Sequence, residues 1–210
     1  MVQVYGTIIN CDNYASITAI DNDKTQGSGE VAGGVVGQAI GIIKDCKNKG
    51  NVLARNELGI TGRGKFAGGI VAYGYGPLEI SNCQNDGEVI AQYQKVGGIV
   101  GCADGSTGDF IINNCKNNAN VSSSPINNTL HSLCVGGIVG EAADGVQIRN
   151  WINTAQITAN NQQSGGIAGS ISNQSLVSSC INTGTIVSNA AGGRGISGGI
   201  VGMMNSARYN

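Results

Sequence analysis

The chain has 210 residues and a formal net charge of −1, with 35 glycines, 7 cysteines and only 12% charged residues. Without clustered Lys and Arg, it does not have the surface that nucleic acid or anionic lipid requires. No apolar run approaches the roughly eighteen residues of a membrane helix, and the opening Met-Val-Gln-Val-Tyr-Gly lacks the basic-then-apolar pattern of a signal peptide.

In chain order, a first unit runs Ile8, Cys11, Asn13, Ala15, Ile17 and then, after an insertion, reaches Gly33-Gly34. The series returns as Ile43, Cys46, Asn48, Gly50, Val52 and Gly68-Gly69, and again as Ile80, Cys83, Asn85, Gly87, Val89 and Gly97-Gly98. Fourth comes Ile112, Cys115, Asn117, Ala119, Val121 and Gly136-Gly137, and fifth Ile148, Trp151, Asn153, Ala155, Ile157 and Gly165-Gly166. The last is Val177, Cys180, Asn182, Gly184, Ile186 and Gly198-Gly199. So much Gly and Asn would suit disorder, but the recurring Ile and Val give every unit an apolar face worth burying.

A unit of about thirty residues repeated end to end implies stacked copies of one small structure, hence a single repeat domain over 1–210. The steps of two from Cys to Asn to small residue to Val or Ile put alternate side chains on one side, as in a β-strand; a helix would return at three and four. Each unit is predicted to hold three short strands: on the Gly-Gly-Ile-Val-Gly block, around the aliphatic-x-x-Cys step, and on the approach to the Val or Ile. The expected fold is all-β, a parallel β-solenoid of about six coils, right-handed by the rule for parallel crossovers. Both ends fall at repeat boundaries, so the chain is expected to be a fragment of a longer protein.

From Gly pair to Cys position the steps are 13, 15, 18, 15 and 15, whereas from Cys position to Gly pair they are 22, 22, 14, 21, 14 and 18. The variable half carries insertions at 21–30, 55–66, 122–133 and 189–196. In a stack these line up along one uneven edge, where repeat proteins often bind. Its candidate binding residues are Asp21, Asp23, Arg55, Arg63, Lys65, His131 and Arg194.

The column Cys11, Cys46, Cys83, Cys115, Trp151, Cys180 resembles no zinc spacing, and in-register side chains point the same way, which hinders a disulfide. Its expected role is an inward ladder of thiols packing as small hydrophobes, with Cys102 and Cys134 structural outside it. Asn13, Asn48, Asn85, Asn117, Asn153 and Asn182 are expected to form a second ladder, each amide bonding to the next coil and to turn backbone. No catalytic, cofactor or metal site is expected. His131 stands alone, and Asp21-Asn22-Asp23 lacks the Gly and Glu of an EF-hand. The Gly pairs open no phosphate-cradling motif. A broken series of threonines, Thr154, Thr158, Thr183 and Thr185, argues against an ice-binding rank.

Val-Gly-Gly-Ile-Val-Gly at 96–101 and Asn82-Cys83-Gln84-Asn85-Asp86-Gly87-Glu88-Val89, with their five counterparts, resemble the GLUG repeat. That resemblance covers essentially the whole chain. It implies a bacterial cell-surface or secreted protein, adhesin-like or accompanying an immunoglobulin-A-cleaving peptidase, though no His-Glu-x-x-His is present. The expected function is a non-enzymatic structural and adhesive module, extracellular or at the cell surface. Its partners would be a host protein or glycan, with end-to-end self-association, no nucleic acid and no membrane insertion. The alternative is a carbohydrate-active β-helix using surface carboxylates among Asp86, Glu88, Asp104, Asp109 and Asp144.

Overall fold

A computed structural model of the chain describes residues 5–21, 30–56, 66–92, 94–124, 134–160, 163–189 and 195–205. Among them there is no helix. Strands in purely parallel register build three sheets, a long one of 14 strands and two of 6, stacked coil upon coil as a β-solenoid. The columns seen in sequence are columns in space: Ile8, Ile43, Ile80, Ile112, Ile148 and Val177 stand in register. So do Ile17, Val52, Val89, Val121, Ile157 and Ile186.

The turn of chain from Lys95 to Ser123 shows the path. Lys95–Gly97 lies on one short sheet, here the third face, and the chain bends over Gly98 and Ile99. Val100–Asp104 and Phe110–Asn113 then run along the long face, Lys116–Asn117 continues it, and Val121–Ser123 forms the second face before the next coil opens at Cys134–Gly136.

The Gly-Gly-Ile-Val-Gly block is therefore not one strand, and each coil has more than three. Its first Gly ends a third-face strand, its second Gly and Ile make the corner, and its Val starts the long face. The corner is sterically determined. A Cβ on the first Gly would overlap the carbonyl of the Val three residues on, as at Gly68 and Val71. The Ile at the bend points inward, and Ile70, Ile99, Ile138 and Ile167 are fully buried. Backbone bonds tie each bend to the next, with Ile99 N donating to Ile138 O at 2.9 Å and Ile138 N to Ile167 O at 2.9 Å.

The interior divides in two. One apolar cluster lies behind the long face and holds the Ile and Cys columns with Phe110 and Trp151. The other, between the second and third faces, is built of Val and small residues such as Ala54, Ala67 and Ala91, which let those faces approach closely. Between Cys46 in the first and Val52 in the second comes buried Asn48, so a polar column runs along the seam.

Candidate functional site

The seam is hydrogen-bonded throughout. Asn13 Nδ2 donates to Asn48 Oδ1 at 2.8 Å, Asn48 to Asn85 at 2.8 Å, Asn85 to Asn117 at 2.8 Å, Asn117 to Asn153 at 3.1 Å and Asn153 to Asn182 at 2.8 Å. Each Nδ2 also donates to the carbonyl two residues on, from 2.7 Å at Ala15 and Gly50 to 3.2 Å at Ala155. From Asn13 to Asn153 every side-chain amide proton thus has an acceptor, which is what a buried amide needs to avoid a desolvation penalty of about 1–3 kcal/mol. Its middle members, Asn48, Asn85, Asn117 and Asn153, are fully buried and out of reach of a ligand.

The Cys column is likewise inward except at its first member. Cys46, Cys83 and Cys115 are buried, Cys180 is half-buried and Cys11 is exposed; all seven cysteines are free. Burial pushes the thiols of Cys46, Cys115 and Cys180 up, so they remain protonated. Trp151 takes the fifth place fully buried, its Nε1 donating to Ile112 O at 3.2 Å.

The outward side of the second face carries a groove of about 490 Å³ across four coils. Its floor is the column Leu53, Ile90, Ser122, Thr158, in register through the parallel ladder. Glu88, Asn120 and Gln156 line it before these residues in the chain, and Arg55, Gln92, Ser124 and Asn160 after them. Local bonds hold the polar lining: Gln156 Nε2 donates to Thr158 Oγ1 at 3.3 Å, and Asn160 Nδ2 to Ser123 O at 2.6 Å. Amides and hydroxyls with one cation and one anion offer many donors and acceptors to an extended polar ligand, with two aliphatic side chains for its apolar patches.

The groove adjoins the corner that takes the insertions. Ile17–Asp21, Val52–Asn56, Val121–Ser123 and Ile186–Asn189 end on the second face, and Val31–Gly33, Phe66–Gly68, Cys134–Gly136 and Ile196–Gly198 resume on the third. Of the candidate edge residues, Arg55 lines the groove, and the backbone of Asp21 pairs with Asn56 at the same end of the face. Asp23, Arg63, Lys65, His131 and Arg194 lie outside the described residues.

Three of the candidate carboxylates, Asp86, Asp104 and Asp144, are engaged with neighbours. Asp86 accepts from Gln84 Nε2 at 2.8 Å and from Asn118 Nδ2 at 2.7 Å, and Asp144 from Asn173 Nδ2 at 2.8 Å. Burial would raise the Asp104 carboxyl, but bonds from the side chain and backbone N–H of Ser106 and from the Tyr73 hydroxyl hold it below its ordinary value. Among the described residues no three His, Cys, Asp or Glu groups gather as a metal site would need.

Two features escape a reading of the sequence. The residue before each column Cys or Trp (Asn10, Asp45, Asn82, Asn114, Asn150, Ser179) has a left-handed backbone, with φ from 51 to 59°. Asn114 Nδ2 donates to Asn82 Oδ1 at 2.7 Å and Asn82 Nδ2 to Asp45 Oδ1 at 3.0 Å, giving an outer polar ladder. Its signal was the Asn or Asp in five of those six places, residue types that tolerate φ > 0.

The other feature is a cluster at the corner of the third and long faces. Lys95 Nζ lies 2.5 Å from Glu141 Oε1 and 3.6 Å from Cys102 Sγ, while Cys134 Sγ is 3.1 Å from Gln163 Oε1. Burial would discharge the Lys95 ammonium, but Cys102 and the Glu141 carboxylate hold its pKa above the usual value. Burial pushes the Cys102 thiol up to about 12 and that of Cys134 up as well, so neither is a nucleophile at neutral pH. Cys102 and Cys134 thus have partners that sequence alone did not reveal. No family model, curated protein or solved structure matches the chain.

Proposed function

We propose that this chain is a non-enzymatic adhesive and spacing module of a bacterial surface or secreted protein, which holds an extended polar ligand in the groove on its second face. The ligand is a segment of host protein or a glycan chain. The observation that carries the reading is the position of the groove, a polar strip of four coils beside the corner that absorbs the insertions. At roughly 4.8 Å per coil the strip suits a chain laid along the rod rather than a compact molecule enclosed by it. The likeness of both repeat blocks to the GLUG repeat supports the surface location.

The intact chain is to be tested against immobilised host extracellular proteins and a broad glycan panel, beside a variant carrying Glu88→Ala, Gln156→Ala and Thr158→Ala. These side chains point outward, so the fold tolerates their loss. Expected is retention of at least one ligand, weakened about tenfold or more in the variant. Binding that ignores the triple change would sink the groove as the site. Cleavage of a glycan by the intact chain, lost in Asp86→Asn or Asp104→Asn, would replace this reading with a catalytic one.

A further inference from the structure

The groove on the second face has a period, and the period selects what can lie in it. Its floor advances by one residue per coil, from Leu53 through Ile90 and Ser122 to Thr158, all half-buried and in register, at roughly 4.8 Å per step. Beside the floor Glu88, Asn120 and Gln156 are exposed and also recur once per coil. A ligand that follows the rod and repeats its contacts needs the same step.

An extended peptide does not have it. It advances about 3.3 Å per residue and returns the same side only at every second residue, so its groups fall out of phase with the coils. Nor can it add to the sheet, because the backbone beneath the groove is consumed between coils: Val89 N donates to Asn120 O at 3.0 Å and Val121 N to Gln156 O at 3.1 Å. The peptide's own N–H and C=O groups would depend on side chains alone. A 1,4-linked pyranose in an extended ribbon, by contrast, advances per ring by close to one coil, roughly 4.8 Å.

The chemistry of the lining fits such a ribbon. Asn120 Oδ1 accepts from Gln156 N at 3.2 Å, which leaves both Nδ2 protons without a partner among the described residues. The Ser122 hydroxyl and the Glu88 carboxylate, which line the groove with it, have no partner there either. Thr158 Oγ1 accepts from Gln156 Nε2 at 3.3 Å and keeps its own proton to donate. Sugar hydroxyls both donate and accept, so they pair with amide, hydroxyl and carboxylate alike, while the C–H faces of the rings suit Leu53 and Ile90. Arg55 is the one cation among the described lining residues, far short of the row of positive charge that a polyanionic glycan calls for.

We propose that the groove binds a neutral, ribbon-like 1,4-linked glycan laid along the rod, one sugar per coil over its four coils. Leu53 and Ile90 then lie under two successive rings, and Ser122 and Thr158 under the next two. The proposal rests on the groove being the ligand site, and it adds the ligand's class and register. A helically coiled α-linked glucan turns away from a straight column and does not fit.

Calorimetric titration of the intact chain with β-1,4-linked glucose, mannose and N-acetylglucosamine oligomers of two to six sugars tests this. Expected for at least one series is affinity that rises with each sugar up to four and then stays level, unchanged by added salt, with α-1,4-linked glucose oligomers about tenfold weaker or more. Ser122→Tyr fills the middle of the floor and should weaken the four-sugar ligand about tenfold or more. Should the larger side chain disturb folding, Asn120→Ala removes the unpaired amide instead and should weaken binding in the same direction. Equal affinity for the α-linked series, preference for a polyuronate, affinity that levels off at two sugars or climbs beyond four, or indifference to both substitutions would each overturn the proposal. If no glycan binds but a host protein does, and Glu88→Ala, Gln156→Ala and Thr158→Ala together abolish it, the groove stands as the site and the glycan falls. If neither binds, both readings fall.

Discussion

Gly98 is seated against Asn117: a Cβ added to the glycine would stand 2.6 Å from Nδ2 of the asparagine and overlap the Gly137 carbonyl of the next coil. The same fit recurs where Gly69 meets Asn85 and Gly137 meets Asn153. The two repeated blocks are thus halves of one contact across the rod, which explains why they recur together. Because neither the backbone oxygen nor a doubly bonded amide can retreat, Gly98→Ala should destabilise the fold by about 3 kcal/mol, the upper range for overpacking. Gly199→Ala, whose Cβ meets nothing within 4 Å among the described residues, should stay within about 0.5 kcal/mol of the unsubstituted chain. Urea denaturation of both variants checks the contrast.

Asn85 is fully buried and donates to both Gly87 O and Asn117 Oδ1. Asn85→Asp keeps the shape and removes those donors at neutral pH. Burial without a counter-charge raises the folded-state pKa of the new carboxyl above its unfolded value of about 3.9. The variant should therefore be most stable below pH ~4 and lose stability as pH rises from there through the raised folded pKa. Thermal melts across that range, compared with the unsubstituted chain, should show the opposite slope from ordinary acid denaturation.

Trp151 occupies a place that Cys fills in the other five coils, yet it is fully buried and its indole N–H bonds to Ile112 O. The fifth coil has packed around the larger group. Trp151→Cys, although it restores the repeat's usual residue, should cost about 3 kcal/mol through the cavity it leaves. A denaturation midpoint equal to that of the unsubstituted chain would show the space to be collapsible.

Lys95 and Glu141 form a half-buried ion pair in which the Lys95 pKa is raised. A raised folded-state pKa on a base contributes stability that is fully present below its unfolded value of about 10.4 and disappears as pH climbs through the folded value. Stability should accordingly fall above about pH 10.4. Glu141→Gln should flatten that alkaline slope while lowering stability at pH 7 by about 1–2 kcal/mol, since a pair whose side chains are 19% and 25% exposed is partly screened. Melting temperature as a function of pH reads both effects.

The columns were legible because a solenoid turns sequence repetition directly into spatial stacking. Once Cys46, Asn48, Gly50 and Val52 are seen at steps of two, their inward direction follows from the strand, and five further copies leave little freedom in register. The corner was not legible. Gly-Gly-Ile-Val-Gly has the apolar, small-residue look of a buried strand, and only the approach of Asn117 and Gly137 shows why the chain must bend at Gly98. The outer ladder of Asn82 and Asn114 was visible as a pattern, but the left-handed backbone that puts those residues there was not.

The amino-acid sequence by itself determined the all-β class, the number of coils, the columns and the half of each coil that admits insertions, since all of these depend on periodicity and spacing along one chain. Only the tertiary structure decided which columns face one another across the rod. Asn against Gly and Lys95 against Glu141 join residues on different faces of the rod. Their meeting depends on how sharply the corners turn and how closely the faces approach, and these are packing distances that no interval along the chain encodes.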